Sequence, residues 1–142
     1  MGTDPSAVTS SAGYLLMKAG MHATRAIESA LDEVGLSARE FLVLTYVGGE
    51  AMSQQELSRR LGIDPTLVVA LVDGLESRGL LSRARDPDDR RRYALSLTAA
   101  GKRLRKRATD ATAAAEDALL RAVPAADRRT LRDLLRRVIS PS

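Results

Sequence analysis

The sequence has no cysteine and no tryptophan, a single histidine and a single phenylalanine. Without cysteine there is no disulfide, no thiolate metal site and no thiol redox switch, and the compartment is left open on that count. One histidine, no glycine-rich phosphate loop between a strand and a helix, and no carboxylates clustered at ligand spacing argue against an enzyme, and no cofactor or metal is expected. Apolar runs fall well short of the roughly 20 residues needed to cross a bilayer. Met1 to Ser11 lacks the basic start and apolar middle of a signal peptide. The default expectation is therefore a cytoplasmic protein with no membrane partner. Aromatics are scarce while alanine and leucine are common, which favours a mainly helical build.

A chain of 142 residues can hold one domain with a real core, or a small lobe with a dimerisation arm. Its net charge of +4 is unevenly spread: residues 78–107 carry eleven basic and three acidic side chains, and the remainder carries eleven and fifteen. A basic block in an otherwise acidic molecule is the footprint of a polyanion partner.

The most informative stretch runs from Asp64 to Thr98. Asp64 suits a helix N-cap and Pro65 the first helical position, where the missing amide has no intrahelical role. Leu67, Val68, Leu71, Val72 and Leu75 then recur at helical spacing, a broad stripe facing a core, and Gly79 ends the helix. Leu81–Arg85 and Arg92–Leu97 are strand-length runs joined by Asp86–Arg91, with Tyr93, Leu95 and Leu97 alternating with smaller residues. This predicts a β-hairpin with arginines at its far end.

Around that stretch, residues 1–12 are small and polar and read as a flexible tail. Tyr14 to Val34 predicts one long helix, stopped by Gly35. Ser37 to Glu40 and Ser53 to Glu56 both fit the capping box, in which the serine accepts an orphan amide and the glutamate reaches back. The first box opens a helix burying Phe41, Leu42, Leu44 and Tyr46 or Val47, which Gly48-Gly49 should break. The second opens a helix carrying Leu57 and Leu61, with Gly62 in the left-handed turn and Ile63 plugging a tight connection to Pro65. Thr98 caps the next helix, whose basic run Lys102 to Arg107 is either a solvated face or a source of phosphate contacts. Residues 108–122 are mostly small, and Val123 provides no cap for a last helix starting at Pro124, with Leu131, Leu134, Leu135, Val138 and Ile139 on one stripe. Pro141 closes the chain.

Asp89-Arg-Arg91, followed after five residues by Leu97-Thr98, matches the D-x-R-x-x-x-x-x-L-T signature of the MarR (multiple antibiotic resistance regulator) family of winged helix-turn-helix transcription factors. Leu71-Val-Asp73, Leu75-Glu76 and Arg78-Gly79-Leu80 resemble the end of its recognition helix, and element order and length resemble the family over nearly the whole chain. The resemblance implies a mainly α fold with a small β-hairpin wing. Residues 36–107 would form the winged helix-turn-helix lobe, with the recognition helix at 65–78 and the wing at 80–98, and residues 13–35 and 108–142 the dimerisation helices. It also implies a homodimeric, sequence-specific binder of double-stranded DNA, a repressor relieved by a small aromatic or phenolic ligand. Its operator would be pseudo-palindromic, with half-sites about 10 bp apart.

In that frame Arg91 enters the minor groove, where narrow A·T-rich stretches attract guanidinium groups. Asp89 orients it through an ion pair. Arg90, Arg92, Arg83 and Arg85 are candidates for phosphate contact. Thr66, Val69, Ala70 and Asp73 form the face that enters the major groove, although Val69 and Ala70 stand where the family often has a hydroxyl and a cation, so they offer thymine-methyl packing instead of hydrogen bonds. Gln54, Gln55, Arg59 and Arg60 would clamp the backbone. The resemblance places an effector cleft between the dimerisation helices and the lobe, for which Tyr14, Met17, Met21, His22, Phe41 and Tyr46 are candidates alongside ordinary packing roles. The rival readings are a non-specific nucleoid-associated or RNA-binding protein and a winged-helix module used only for protein contact; the exposed arginines argue against the latter.

Overall fold

A computed structural model describes residues 4–140. Its elements in chain order are α1 (Pro5–Thr9), α2 (Ala12–Glu33), α3 (Ala38–Gly49), α4 (Gln54–Leu61), α5 (Pro65–Ser77), β1 (Leu81–Arg85), β2 (Tyr93–Leu97), α6 (Ala99–Leu119) and α7 (Ala125–Ile139). The two strands pair antiparallel, Leu81 opposite Leu97 and Arg85 opposite Tyr93. This is the mainly helical fold with a two-stranded wing that the sequence implies. Among the described residues no helix is long and apolar enough to cross a membrane, and no three His, Asp or Glu side chains gather as a metal site.

The helix starts follow their predicted caps. Ser37 Oγ accepts from Glu40 N–H and Ser53 Oγ from Glu56 N–H, both at 3.1 Å, and Asp64 Oδ1 accepts from Thr66 N–H at 2.7 Å. The reciprocal half of each capping box is not formed. Glu40 instead pairs with Arg78 and Glu56 with Arg59 and Arg60, because a guanidinium partner offers a charge-assisted bond that a lone amide does not. At α7 the boundary lies one residue later than expected: Pro124 is the N-cap, with no side-chain bond, and the helix starts at Ala125. Pro141 lies outside the described residues.

Three expectations are corrected. The supposed tail contains α1, capped by Asp4, over Pro5–Thr9; Met1 to Thr3 lie outside the described residues. Gly48-Gly49 does end α3, but one step later than a break ahead of the pair would: both glycines are helical, and the extended Glu50 is the C-cap. A Cβ on Gly48 would overlap the Arg105 guanidinium and meet Leu97 Cδ1 at 2.8 Å, so glycine serves close approach of α6 and β2 there. Leu42, assigned to the core, is exposed; the face of α3 that is buried carries Val43, Leu44 and Val47, with Phe41 and Tyr46 only half-buried.

The core lies between Leu31 and Ala108. Leu31, Leu44, Leu57, Val68, Val72, Leu75 and Leu95 are fully or almost fully buried, so α2 to α5 and the hairpin share one apolar interior. The stripe of α5 is narrower than its sequence suggests, since Leu67 and Leu71 are half-buried. Met52, before α4, adds a short third pairing to the hairpin: Leu95 N–H donates to Met52 O at 2.8 Å. Most of α2 and all of α7 stand outside this interior. No residue of α7 is buried, and Leu134, Val138 and Ile139 are exposed.

Candidate nucleic-acid interface and apolar cleft

The turn between α4 and α5 is built around Ser58. Its carbonyl accepts from Gly62 N–H at 2.9 Å while its hydroxyl donates to Ile63 O at 2.7 Å. Gly62 supplies the left-handed backbone, with φ +64°, that the reversal needs. The buried stripe of α5 then fixes what faces outward. Thr66, Val69, Ala70 and Asp73 are all exposed on one side, as their spacing requires.

The wing root is tied to that side. Arg83 on β1 donates through Nη2 to Asp73 Oδ1 at 2.5 Å, through Nη1 to Glu76 Oε1 at 3.1 Å, and through Nη2 and Nε to Gln54 Oε1 at 2.8 and 3.1 Å. Its side chain is only 25% exposed. Three candidates are thereby reassigned. Arg83, Asp73 and Gln54 are engaged with one another, so Arg83 clamps α4, α5 and β1 instead of presenting a free cation.

At the wing tip the Asp89 carboxylate accepts the Arg91 backbone N–H at 3.0 Å, and its nearest cation is Arg92 Nε at 3.7 Å. Asp89 thus orients Arg91 through a local turn, not through the expected ion pair, because the short aspartate side chain reaches the amide two residues on. Arg90 and Arg91 are exposed and have no carboxylate partner among the described residues. Arg85 donates to Arg90 O at 3.0 Å and lies over the Tyr93 ring, 5.7 Å from its centre, bracing the loop.

On α4, Gln55 is exposed and unengaged, whereas Arg59 pairs with Glu56 and Arg60 bridges Glu56 and Glu50. The Arg60 hydrogen bond holds the Glu56 carboxyl below its ordinary 4.5. The pairing therefore supports the fold above that pH and fades as the pH falls through the lowered value. The far end of α5 is anchored too: Arg78 donates to Glu40 Oε2 at 3.0 Å and to Gly35 O at 2.9 Å, in the turn between α2 and α3.

A cleft of about 1090 Å³ opens between α2, α3, α6 and α7. Its lining is mainly apolar, including Leu16, Gly20 and Ile27 of α2, Phe41 and Leu42 of α3, and Leu135 of α7. Of the six candidates for an effector site, only Phe41 lies on it. Tyr14, Met17, Met21 and His22 sit on other faces of α2, and Tyr46 turns toward the core. The α2 stripe at positions 15, 16, 19, 20, 23 and 27 faces the cleft. The sequence shows that stripe but not what it faces, and Leu42 could have been found by noting that it stands two positions from Leu44, on the opposite side of α3.

Comparison with known proteins places this geometry. The sequence profile described as MarR family matches residues 34–92. A MarR-family transcriptional regulator from Rhodococcus sp. RHA1 is 31% identical, with a TM-score of 0.80 over 99% of both chains. CouR from Rhodococcus jostii RHA1, solved bound to p-coumaroyl-CoA, is 33% identical with a TM-score of 0.79, covering 94% of this chain and 95% of CouR. The transcriptional repressor CouR bound to a 23-mer DNA duplex gives 29% identity and a TM-score of 0.85, covering 99% and 100%. The HTH-type transcriptional repressor Rv2887 of Mycobacterium tuberculosis (strain ATCC 25618 / H37Rv) is 28% identical over 127 residues, 89% of this chain and 91% of the relative. Its complex with p-aminosalicylic acid has a TM-score of 0.73 at 27% identity, covering 92% and 100%.

Proposed function

The chain belongs to the MarR family of transcriptional regulators, and from that premise we propose that it acts as a homodimeric repressor of a pseudo-palindromic operator, released by a ligand held in the apolar cleft. The observation that carries the DNA reading is the Arg83–Asp73 bond, which fixes the wing beside the exposed face of α5. The two can then address neighbouring grooves together. Thr66, Val69 and Ala70 enter the major groove, and Arg91, free of any carboxylate partner among the described residues, enters the minor groove. Arg90, Arg92 and Gln55 supply backbone contacts. CouR, crystallised on a DNA duplex, supports the assignment.

Dimerisation is assigned to α2, α7 and the C-terminal part of α6. Met17, Met21, Leu134, Val138 and Ile139 are exposed and lie outside the cleft, and a second copy is what would cover them. Melting temperature is therefore expected to rise with protein concentration, because folding and assembly are linked; a concentration-independent melt would reject the dimer. For the cleft, CouR and Rv2887, solved with p-coumaroyl-CoA and p-aminosalicylic acid, support an aromatic occupant. Release follows if the ligand prefers a dimer whose two α5 helices are wrongly spaced for successive grooves.

The test of the wing is Arg91→Ala. Operator affinity, measured by fluorescence anisotropy at matched salt, is expected to fall by at least about 1 kcal/mol while the dimer stays folded. Unchanged affinity would remove Arg91 from the interface.

A further inference from the structure

The apolar cleft does not close at α6. Thr109 lies on its wall and also on the wall of a second pocket of about 440 Å³, whose other sides are Thr45, Lys102, Arg105 and Lys106. Helical spacing explains the continuity. Positions 102, 105, 106 and 109 share one face of α6, and 109, 112, 113 and 116 carry it onward along the cleft, so one helix face changes from cationic to apolar at Thr109.

The cations there are not all answered. Lys106 bonds Asp110 Oδ2 at 2.8 Å, but neither Lys102 nor Arg105 has a carboxylate partner among the described residues. Arg105 is also partly buried, its guanidinium folded against α3 at Gly48, where any side chain would collide with it. A guanidinium held out of full solvent without a counter-charge is costly unless an anion completes it. The hydroxyls of Thr45 and Thr109 donate back to Phe41 O and Arg105 O, each at 2.8 Å, so their protons are already committed to backbone. The cations alone define its chemistry.

We propose that the effector is an acyl or aryl thioester of coenzyme A, its apolar group in the cleft and its phosphorylated tail passing Thr109 into the pocket of Lys102, Arg105 and Lys106. This rests on the reading of the cleft as the effector site and names the ligand class. A free aromatic acid carries one carboxylate and no second anionic arm, so it leaves the adjoining cations unengaged and fills a small part of a cleft at the top of the roughly 300–1,000 Å³ range of drug-sized sites. A thioester engages both.

The experiment titrates the full-length protein by calorimetry with benzoyl-, p-coumaroyl- and octanoyl-CoA, the matching free acids, coenzyme A, and oleoyl lysophosphatidate. At least one thioester is expected to bind tenfold or more tighter than its acid and than coenzyme A, and to displace operator DNA. The Lys102→Ala/Arg105→Ala variant should lose about tenfold on that thioester and less than twofold on the free acid. Gly20→Met, which fills the cleft at a position where a Cβ meets nothing within 4 Å, should weaken both. Equal binding of acid and thioester, both weakened by Gly20→Met, would overturn the thioester and leave the cleft reading standing. Indifference of every ligand to Gly20→Met would overturn the cleft reading itself. Tighter binding of lysophosphatidate would assign the pocket to a lipid phosphate and overturn the coenzyme. A loss of DNA affinity in the double variant with thioester binding unchanged would make the pocket a backbone contact, and no binding by any thioester would end the proposal.

Discussion

Gly101→Ala is expected to destabilise the protein by about 3 kcal/mol or more, lowering its melting temperature on the order of 10 °C at fixed protein concentration. In a helix, alanine normally improves on glycine by about 0.5–1 kcal/mol. Here the sign reverses because an added Cβ would collide with the carbonyl oxygen of Leu80 and stand 3.0 Å from its carbonyl carbon. That obstacle is backbone and cannot rotate away. Leu80 O already accepts from Thr98 N–H at 3.1 Å, Leu80 N–H donates to Leu75 O at 3.0 Å, and Thr98 Oγ1 both donates to Gly79 O at 2.6 Å and accepts from Gly101 N–H at 3.0 Å. To admit a methyl group, the start of α6 must leave the end of α5, and these bonds go with it. Gly20→Ala is the matched control. It also lies inside a helix, but its Cβ would meet nothing within 4 Å, so it should gain about 0.5–1 kcal/mol. Urea melts of the two variants beside the parent check both signs, and a Gly101→Ala protein as stable as the parent would contradict the packing.

Arg83→Met is expected to reduce operator affinity by about 2 kcal/mol, more than the loss of the wing-tip Arg91, although Arg83 need not touch DNA. Two effects add. Among the described residues the guanidinium is the only β1 side chain that bonds both Asp73 and Glu76 of α5, so its removal loosens the wing against the helix it must act beside. It also strips the counter-charge from two carboxylates next to a face that must approach phosphate. The second effect is separable. Adding Asp73→Asn and Glu76→Gln to Arg83→Met removes the uncompensated charge but not the lost tether, so affinity should recover in part and the salt dependence should return toward the parent. Direct phosphate contact by Arg83 would instead predict no recovery. Part of the stability cost is small, because Asp73 is 56% exposed and its pairing is screened.

What could be read ahead of the structure sorts by the range of the interaction responsible. Ser37, Ser53, Asp64 and Thr98 each cap a helix as their local spacing implies, since a cap involves only residues two or three positions away. The hairpin was legible for the same reason, with its register set by a short charged loop between apolar runs. Partners distant in sequence were not. The Glu40–Arg78 pair spans 38 positions and the Arg83–Gln54 bond 29, so nothing near any of them marks which arginine is free and which is spent on the fold. The basic block therefore overstated the cations offered outward. The cleft was half legible: the stripe of α2 is visible in sequence, but a stripe looks alike whether it faces a core, a partner or a void. Met17 and Met21 were placed with the ligand for their chemistry, yet they point away from the cavity that Leu16 and Gly20 border.

Arg78 ties the last turn of α5 to the carbonyl of Gly35 and to Glu40, at the bend where α2 gives way to α3. A helix tied at that end by its own C-cap residue is braced against sliding along its axis. In the proposed dimer a ligand signal would then arrive as a turn of the whole lobe, like a key rotated by its bow, altering the separation between two such keys.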